Sequence, residues 1–416
     1  MTLTKERGTL RHLLLDMIST SRPVSAQRIT TLSDNDWQAI FSMARQHRLG
    51  PILHHHFQTR GGDWPLPENV RNQWAAAYRR SALRSLLVRQ GLLRLHSLLD
   101  KADIPYAALK GAWLSLHVYP HPAFRPMRDI DILVAAEHAL PTYQILEGAG
   151  YIRKPDNITP LEFSLENHKH LIGLSCPVSN RNIEVHTRLM GELPTGNIDG
   201  TIADTKTLLN RRIRPNTDGE EISFLSPTDT LLHLIVHSAY DHHFNNGPLI
   251  MNDIAAILES NEINWNRFWE MADKGGWTRG CELVFGMTKI YHDQIKVPVR
   301  SDSASPLSTD MALSTALLTL MDSDEYLAMS FRREVVGKMW SRSRITLLLK
   351  KAVPERHMLA TFAGLPLDSA WVWANYPNWL VTQLQRIVFR KLRDDVRADA
   401  ERAAEVENWL FQKAKP

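Results

Sequence analysis

The chain has 416 residues, 44% of them hydrophobic and 23% charged. At about 100 to 200 residues per domain this length allows two or three cores, and the composition excludes a disordered or fibrous chain. Lys and Arg number 49 against 45 Asp and Glu, a net charge of +4, too slight for a dedicated nucleic-acid binder but compatible with a phosphate-bearing ligand.

The two cysteines, Cys176 and Cys281, lack the paired spacing of a zinc or redox motif and indicate a reducing compartment. Near the N-terminus the only apolar run is Leu13, Leu14 and Leu15, too short for a signal segment. The most apolar helical stretch, 231–240, is broken by two histidines and falls short of the ~20 residues that cross a bilayer. The expectation is a cytoplasmic protein with no membrane span.

In chain order, residues 1–100 read as a helical region. Apolar residues recur at helical spacing in TLRHLLLDMI and in WAAAYRRSALRSLLVRQGLLRLHSLLD, with Leu83, Leu86, Leu87, Gln90, Leu93 and Leu98 mostly on one stripe. His54, His55 and His56 point in three helical directions and read as surface residues. The cluster RGGDWPLPEN at 60–69 interrupts the helices. Residues 101–225 change to short β-branched runs, IPYAAL, DIDILV, KHLIGL, NIEVHTRL and ISFL, the pattern of a small mixed sheet with helices. Helical periodicity returns over 226–416, with Asp229 after Ser226 and Pro227 suiting a helix start. The Pro- and Ser-containing stretch 297–310 reads as an internal loop. The fold class is α+β: a small mixed-sheet core flanked by helical regions.

The chemistry concentrates in Arg128-Asp129-Ile130-Asp131-Ile132-Leu133-Val134. In a strand, alternate side chains share a face, so Asp129 and Asp131 stand together while Ile130 and Ile132 pack behind. Such like charges repel unless a cation lies between them, and Mg²⁺ held by carboxylates and substrate phosphates is the natural one. An isolated Asp-x-Asp is also what a solvated edge strand carries. Two further segments favour the functional reading. Lys110-Gly111-Ala112, just upstream, closes an apolar run and opens a helical one, a junction where backbone N–H groups meet a phosphate and Lys110 adds a charge. In Asn182-Ile183-Glu184-Val185-His186, Glu184 and His186 face one way and suit a second strand beside the first. Three carboxylates could then hold two divalent ions for an in-line phosphoryl displacement.

These residues resemble the polymerase-β-type nucleotidyltransferase superfamily. LKG, RxxRDIDILV, HKHL and IEVH in that order are similar to a bacterial branch described only as uncharacterised nucleotidyltransferases, with SPTDTLLHL and NDIAAIL fitting as well. The resemblance implies a nucleotidyltransferase-like core at 101–225, between the helical 1–100 and 226–416 regions. It implies a catalytic and metal-binding set of Asp129, Asp131 and Glu184, with two Mg²⁺ or Mn²⁺ ions. It also implies a nucleotide-binding set of Lys110, Gly111, Ala112 and Arg128, with ATP or another nucleoside triphosphate as donor and a small molecule, protein or RNA as acceptor. Ala112 departs from the pattern, because many members carry a phosphate-contacting serine there, and the gap from the turn to Asp129 is longer than in compact members.

Other residues have competing readings. His168 and His170, facing one way on a strand, could approach a triphosphate or an acceptor hydroxyl, or be exposed strand histidines. His233, His237 and Asp241 recur at four-residue steps on one helix face, compatible with a metal site or with hydrogen-bonded histidines beneath a polar cleft. Asp253 could face the cleft or cap its helix after Asn252. The basic stretch 331–351 with Phe331 and Trp340 could receive an acidic partner or be a charged helix face, and the mixed-charge run 391–410 reads as a solvated helix. Two alternatives to a transferase follow: an inactive nucleotide-binding or scaffold protein of the same fold, and a His/Asp metal-dependent hydrolase.

Overall fold

The computed structural model describes residues 2–21, 24–60, 64–153, 160–189, 204–298, 306–321, 354, 356–365, 369–382, 406, 409 and 410. Among the described residues the N-terminal periodicity produces α1 (Thr2–Ile18), α2 (Ala26–Thr30), α3 (Asp34–Gln46), α4 (Gly50–Arg60) and α5 (Glu68–Lys101). Ser33 starts α3 through a capping box with Asp36, which satisfies N–H groups that a helix start leaves open. The long α5 buries Val70, Trp74, Val88, Leu92, Leu95 and Leu99. The stripe read from the sequence is offset from this one, since Leu83, Leu86 and Leu87 are exposed. Periodicity identifies an apolar stripe, but α5 has two, and the packing of α4 against it selects the other. His56 also differs from its surface reading. It is buried, with Nδ1 2.9 Å from the Met17 carbonyl.

The sheet follows: β1 (Tyr106–Ala108), β2 (Asp129–Val134), β3 (Ile152–Arg153), β4 (Leu174–Ser175) and β5 (Asn182–His186), in the spatial order β1-β2-β5-β4-β3. Between β1 and β2 lie α6 (Gly111–Trp113), a π-helical turn Leu114–Val118 and a 3₁₀ turn Pro122–Phe124; α7 (Ala136–Gly148) and α8 (Leu161–Asn167) flank β3. β1 pairs antiparallel and β5 parallel with β2, so the sheet is mixed and the fold is α+β, as expected. ISFL forms only isolated bridges through Phe224 rather than a strand.

After α9 (Thr205–Asn210) come α10 (Pro227–Val236), a π-helical turn His237–Asp241, α11 (Leu249–Ser260), α12 (Trp265–Lys274) and α13 (Thr278–Tyr291). Ser226 caps α10 by accepting from the Asp229 N–H, and Pro227 occupies its first turn, where a missing N–H costs nothing. The loop read over 297–310 ends earlier, because Pro306 opens α14 (Pro306–Leu320); α15 (Arg356–Ala363) follows. The stretch 331–351 and nearly all of 391–410 lie outside the described residues. Buried apolar side chains from all three regions form one continuous cluster, from Leu10 through Ile132 and Val185 to Leu283. Among the described residues, no helix is long and apolar enough to cross a membrane.

Candidate active site

The site is built where β2 and β5 run side by side. Ile130, Ile132, Ile183 and Val185 are buried on one face of the sheet, and the alternate residues stand on the other. The register places Asp129 beside Asn182, Asp131 beside Glu184, and Leu133 beside His186. β1 completes the frame. Leu109, just past its end, donates its N–H to the Asp131 carbonyl at 2.9 Å, which brings Lys110 next to the carboxylates. Lys110 has φ 47° and ψ −116°, a conformation that costs a non-glycine residue about 1–3 kcal/mol. Its Nζ lies 2.9 Å from Asp131 Oδ2. The strained backbone thus accompanies a buried ion pair, and Lys110 is the cation that holds the acidic pair together.

The carboxylates differ in charge state. Burial alone would raise Asp131, but Lys110 and then His186 hold it well below the usual carboxylate range. Asp129 is pushed up to about 6 by burial, by Asp131 and by Glu184. Glu184 resists burial through His186 and stays lowered, and it accepts a hydrogen bond from Asn182 Nδ2 at 3.1 Å. The adjacent Gly173 makes room for that amide, since a Cβ there would overlap the Asn182 side chain.

His186 is the member of the cluster that the expected ligand set omitted. Its Nε2 lies 3.4 Å from Asp131 Oδ1 and 3.6 Å from Glu184 Oε2. Ligand atoms of Asp131, Glu184 and His186 fall within 4.8 Å of one another, the closest such trio among the described residues. Asp131 Oδ1 and both ring nitrogens of His186 are buried without a hydrogen-bond partner, which is costly for polar atoms and fits a role as metal ligands. Two oxygens and an imidazole nitrogen suit Mn²⁺ as well as Mg²⁺. The signal was present in the sequence, because Glu184 and His186 alternate onto one face.

Of the remaining expected residues, His170 joins the cluster and His168 stays apart. His170 bridges to His186, with ring centroids 4.9 Å apart and Nε2 3.7 Å from Glu184 Oε2; burial lowers its pKa. His168 is the exposed residue ending α8, edge-on to Phe163, because the chain between α8 and β4 is too irregular to keep a strand's alternation. Gly111 begins α6 beside Met127, whose Cγ would lie 3.3 Å from a Cβ on Gly111. Ala112 is buried and donates its N–H to the Leu109 carbonyl at 3.2 Å. Arg128 is exposed ahead of Asp129.

Helix α10 and the π-helical turn after it approach the same polar face. His233 is buried with neither ring nitrogen hydrogen-bonded; burial, then Lys110 and His237, press its pKa well down. Asp241 is held by Lys169 Nζ at 2.6 Å and His237 Nδ1 at 3.1 Å, so that carboxylate is committed to an ion pair. Asp253 neither lines the carboxylate cluster nor caps a helix. It is buried and receives Arg125 Nε at 2.7 and 2.9 Å and the Tyr119 hydroxyl at 2.8 Å, anchoring the segment before β2 to α11.

A family model described as "Uncharacterised nucleotidyltransferase" matches residues 33–292, well over half of the chain, and spans the carboxylate strands, the Lys110 turn and α10. The chain belongs to that family. No curated protein and no solved structure matches it. Membership of this nucleotidyltransferase family supports nucleotidyl transfer as the general reaction, with a nucleotide as substrate.

Proposed function

We propose that the chain transfers a nucleoside monophosphate from a nucleoside triphosphate to an acceptor hydroxyl, in a reaction dependent on Mg²⁺ or Mn²⁺. The observation that carries this reading is the side-by-side register of Asp131 and Glu184, with His186 and the Lys110 turn converging on the same point. Asp129, Asp131, Glu184 and His186 would hold the divalent ions, which when bound neutralise the triphosphate and stabilise charge on the attacking and leaving oxygens.

The chain's own residues do the rest. Lys110 keeps Asp131 ionised and is free to pivot from carboxylate to phosphate as a point charge. Gly111, lacking a Cβ, lets Met127 pack against the turn, where backbone N–H groups would meet a phosphate and Ala112 offers no hydroxyl. Asp129 serves as an ion ligand rather than as the base, and the acceptor proton leaves on the departing pyrophosphate. The acceptor oxygen bonds to the α-phosphorus, the bond to the β-phosphate oxygen breaks, and pyrophosphate leaves. Helix α10 closes one side with the buried His233, excluding water that would compete as acceptor. The rate enhancement is then mainly positioning and electrostatic.

The test is pyrophosphate release and label transfer from each α-labelled triphosphate, with cell lysate as acceptor source. Wild type should label one class of molecule with Mg²⁺ or Mn²⁺, and Asp131→Asn should lose about 10²-fold or more, the scale of removing one charge-stabilising group. Equal turnover in the two proteins removes the proposed role. Tight triphosphate binding without pyrophosphate release would indicate a binding protein, a reading that the missing hydroxyl at Ala112 favours.

A further inference from the structure

A cavity of about 610 Å³ lies between α3, α4, the first half of α5 and the segment 125–128 that leads into β2. Its wall carries Arg45, Arg48, Arg80, Arg84, Arg128 and Arg181, and no acidic residue. Arg125, also on the wall, is committed to Asp253, as Arg28 is to Asp16, Arg89 to Asp218 and Arg211 to Asp229. Arg45, Arg48, Arg80, Arg84 and Arg181 have no carboxylate partner among the described residues. Arg80 and Arg84 are one helical turn apart on α5 and share a face, while Arg48 is placed by a left-handed backbone, φ 57°, just past α3. So many like charges around one hollow repel each other, and an anion relieves that repulsion. Trp74, 2% exposed, also lines the cavity and has an indole Nε1 without a hydrogen-bond partner, a further donor.

We propose that this cavity binds the anionic part of the acceptor, a small molecule carrying two or more phosphate groups near the hydroxyl that receives the nucleotide. The inference rests on the nucleotidyl-transfer reading above and adds the chemical class of the acceptor. The volume is that of a small-molecule site, and guanidinium forks match phosphate oxygens two at a time. None of Lys110, Asp129, Asp131, Glu184 and His186 lines the cavity, so it is a second site beside theirs. It adjoins theirs directly. Met127 belongs to its wall and abuts Gly111, and Arg128 precedes Asp129.

The experiment uses calorimetry with two probes: fructose 1,6-bisphosphate in EDTA, and α,β-methylene ATP with Mg²⁺. The bisphosphate should bind wild type and Asp131→Asn alike, weaken with added salt, and bind Arg80→Gln/Arg84→Gln at least tenfold more weakly. Both substitutions are exposed on α5, and Arg80→Lys/Arg84→Lys should recover part of the loss. The Gln variant should hold the ATP analogue as wild type does. In turnover, phosphorylated alcohols should stimulate pyrophosphate release at least tenfold more than their dephosphorylated counterparts. No bisphosphate binding, binding indifferent to the arginines, or loss of the ATP analogue in step with the bisphosphate overturns the assignment; the last would give the cavity to the donor. Arginine-dependent bisphosphate binding in a protein that never binds the ATP analogue removes the transfer reading, and the acceptor role with it, while leaving a phosphate site.

Discussion

Replacing Lys110 with methionine tests the charge balance on which the site rests. Lys110 Nζ is 2.9 Å from Asp131 Oδ2, with the two side chains only 15% and 6% exposed. Methionine keeps most of the aliphatic stem and removes the ammonium, so the change isolates the electrostatics. Removing one partner of a buried pair typically costs about 3–5 kcal/mol, because the other charge is left uncompensated. The lower end, about 3 kcal/mol, is expected here, since His186 Nε2 remains 3.4 Å from Asp131 Oδ1.

The pH dependence provides a second sign. In wild type the folded pKa of Asp131 is depressed, so its contribution is present above the unfolded carboxylate pKa and is lost only as strong acid titrates the folded group. Lys110, raised in the fold, contributes fully below its unfolded pKa and loses that contribution as the solution becomes strongly alkaline. Without Lys110, burial and the neighbouring carboxylates raise Asp131 instead. Its ionisation then opposes folding, and the variant should gain stability as pH falls from 7 toward 4. Urea unfolding of both proteins at several pH values, with and without Mg²⁺ or Mn²⁺, measures this. A divalent ion should restore part of the loss, since a ligand that binds only the folded state adds about 2.7 kcal/mol at 100 times its Kd. A variant with the wild-type midpoint and pH slope would refute the premise that Asp131 needs a cation.

Three further outcomes are expected. Gly173→Ala should displace the Asn182 amide from Glu184 and lower transferase turnover by about tenfold, at a stability cost of about 1 kcal/mol for the lost hydrogen bond; unchanged turnover and metal affinity would show that Asn182 does not orient Glu184. Asp253→Ala strands Arg125 and the Tyr119 hydroxyl and should cost about 3–5 kcal/mol in denaturant unfolding, whereas a cost under about 1 kcal/mol would mean the anchor is solvated. Asp129 is raised to about 6, so protons should compete with Mn²⁺ below that pH, and affinity measured by calorimetry should fall between pH 7 and pH 5 more steeply in wild type than in Asp129→Asn.

The parts of this site that were legible in the sequence are those governed by local periodicity. Alternation alone put Asp129 with Asp131 and Glu184 with His186, and the β-branched neighbours indicated that both segments are strands. Alternation cannot say which strands adjoin or in what register, although the resemblance to nucleotidyltransferases supplied the expectation that the acids converge. The missing pieces are long-range pairings. Arg125 and Asp253 are 128 residues apart in sequence, and Lys169 and Asp241 are 72 apart; no spacing rule connects either pair. His168 illustrates the opposite failure, because period-two logic was extended past the point where the chain remains a strand.

Lys110 joins these two classes. Its place at a strand-to-helix junction was readable, and a charge there suggested a phosphate contact, yet the structure pairs it with Asp131. The readings are compatible if the lysine exchanges partners. A carboxylate cluster that folds before its ions arrive needs an internal cation to offset repulsion among Asp129, Asp131 and Glu184. Once divalent ions take over that role, the ammonium is better placed against the substrate's phosphates, close enough to move without refolding the turn. On this view the strained backbone at Lys110 keeps a single positive charge within reach of both partners. Arginine there would test it. A guanidinium stays charged but is larger and binds carboxylate as a planar fork, so Lys110→Arg should retain more of the fold's stability than Lys110→Met while losing most of the turnover. If Lys110→Arg turned over at the wild-type rate, the exchange of partners would be wrong and simple neutralisation would suffice.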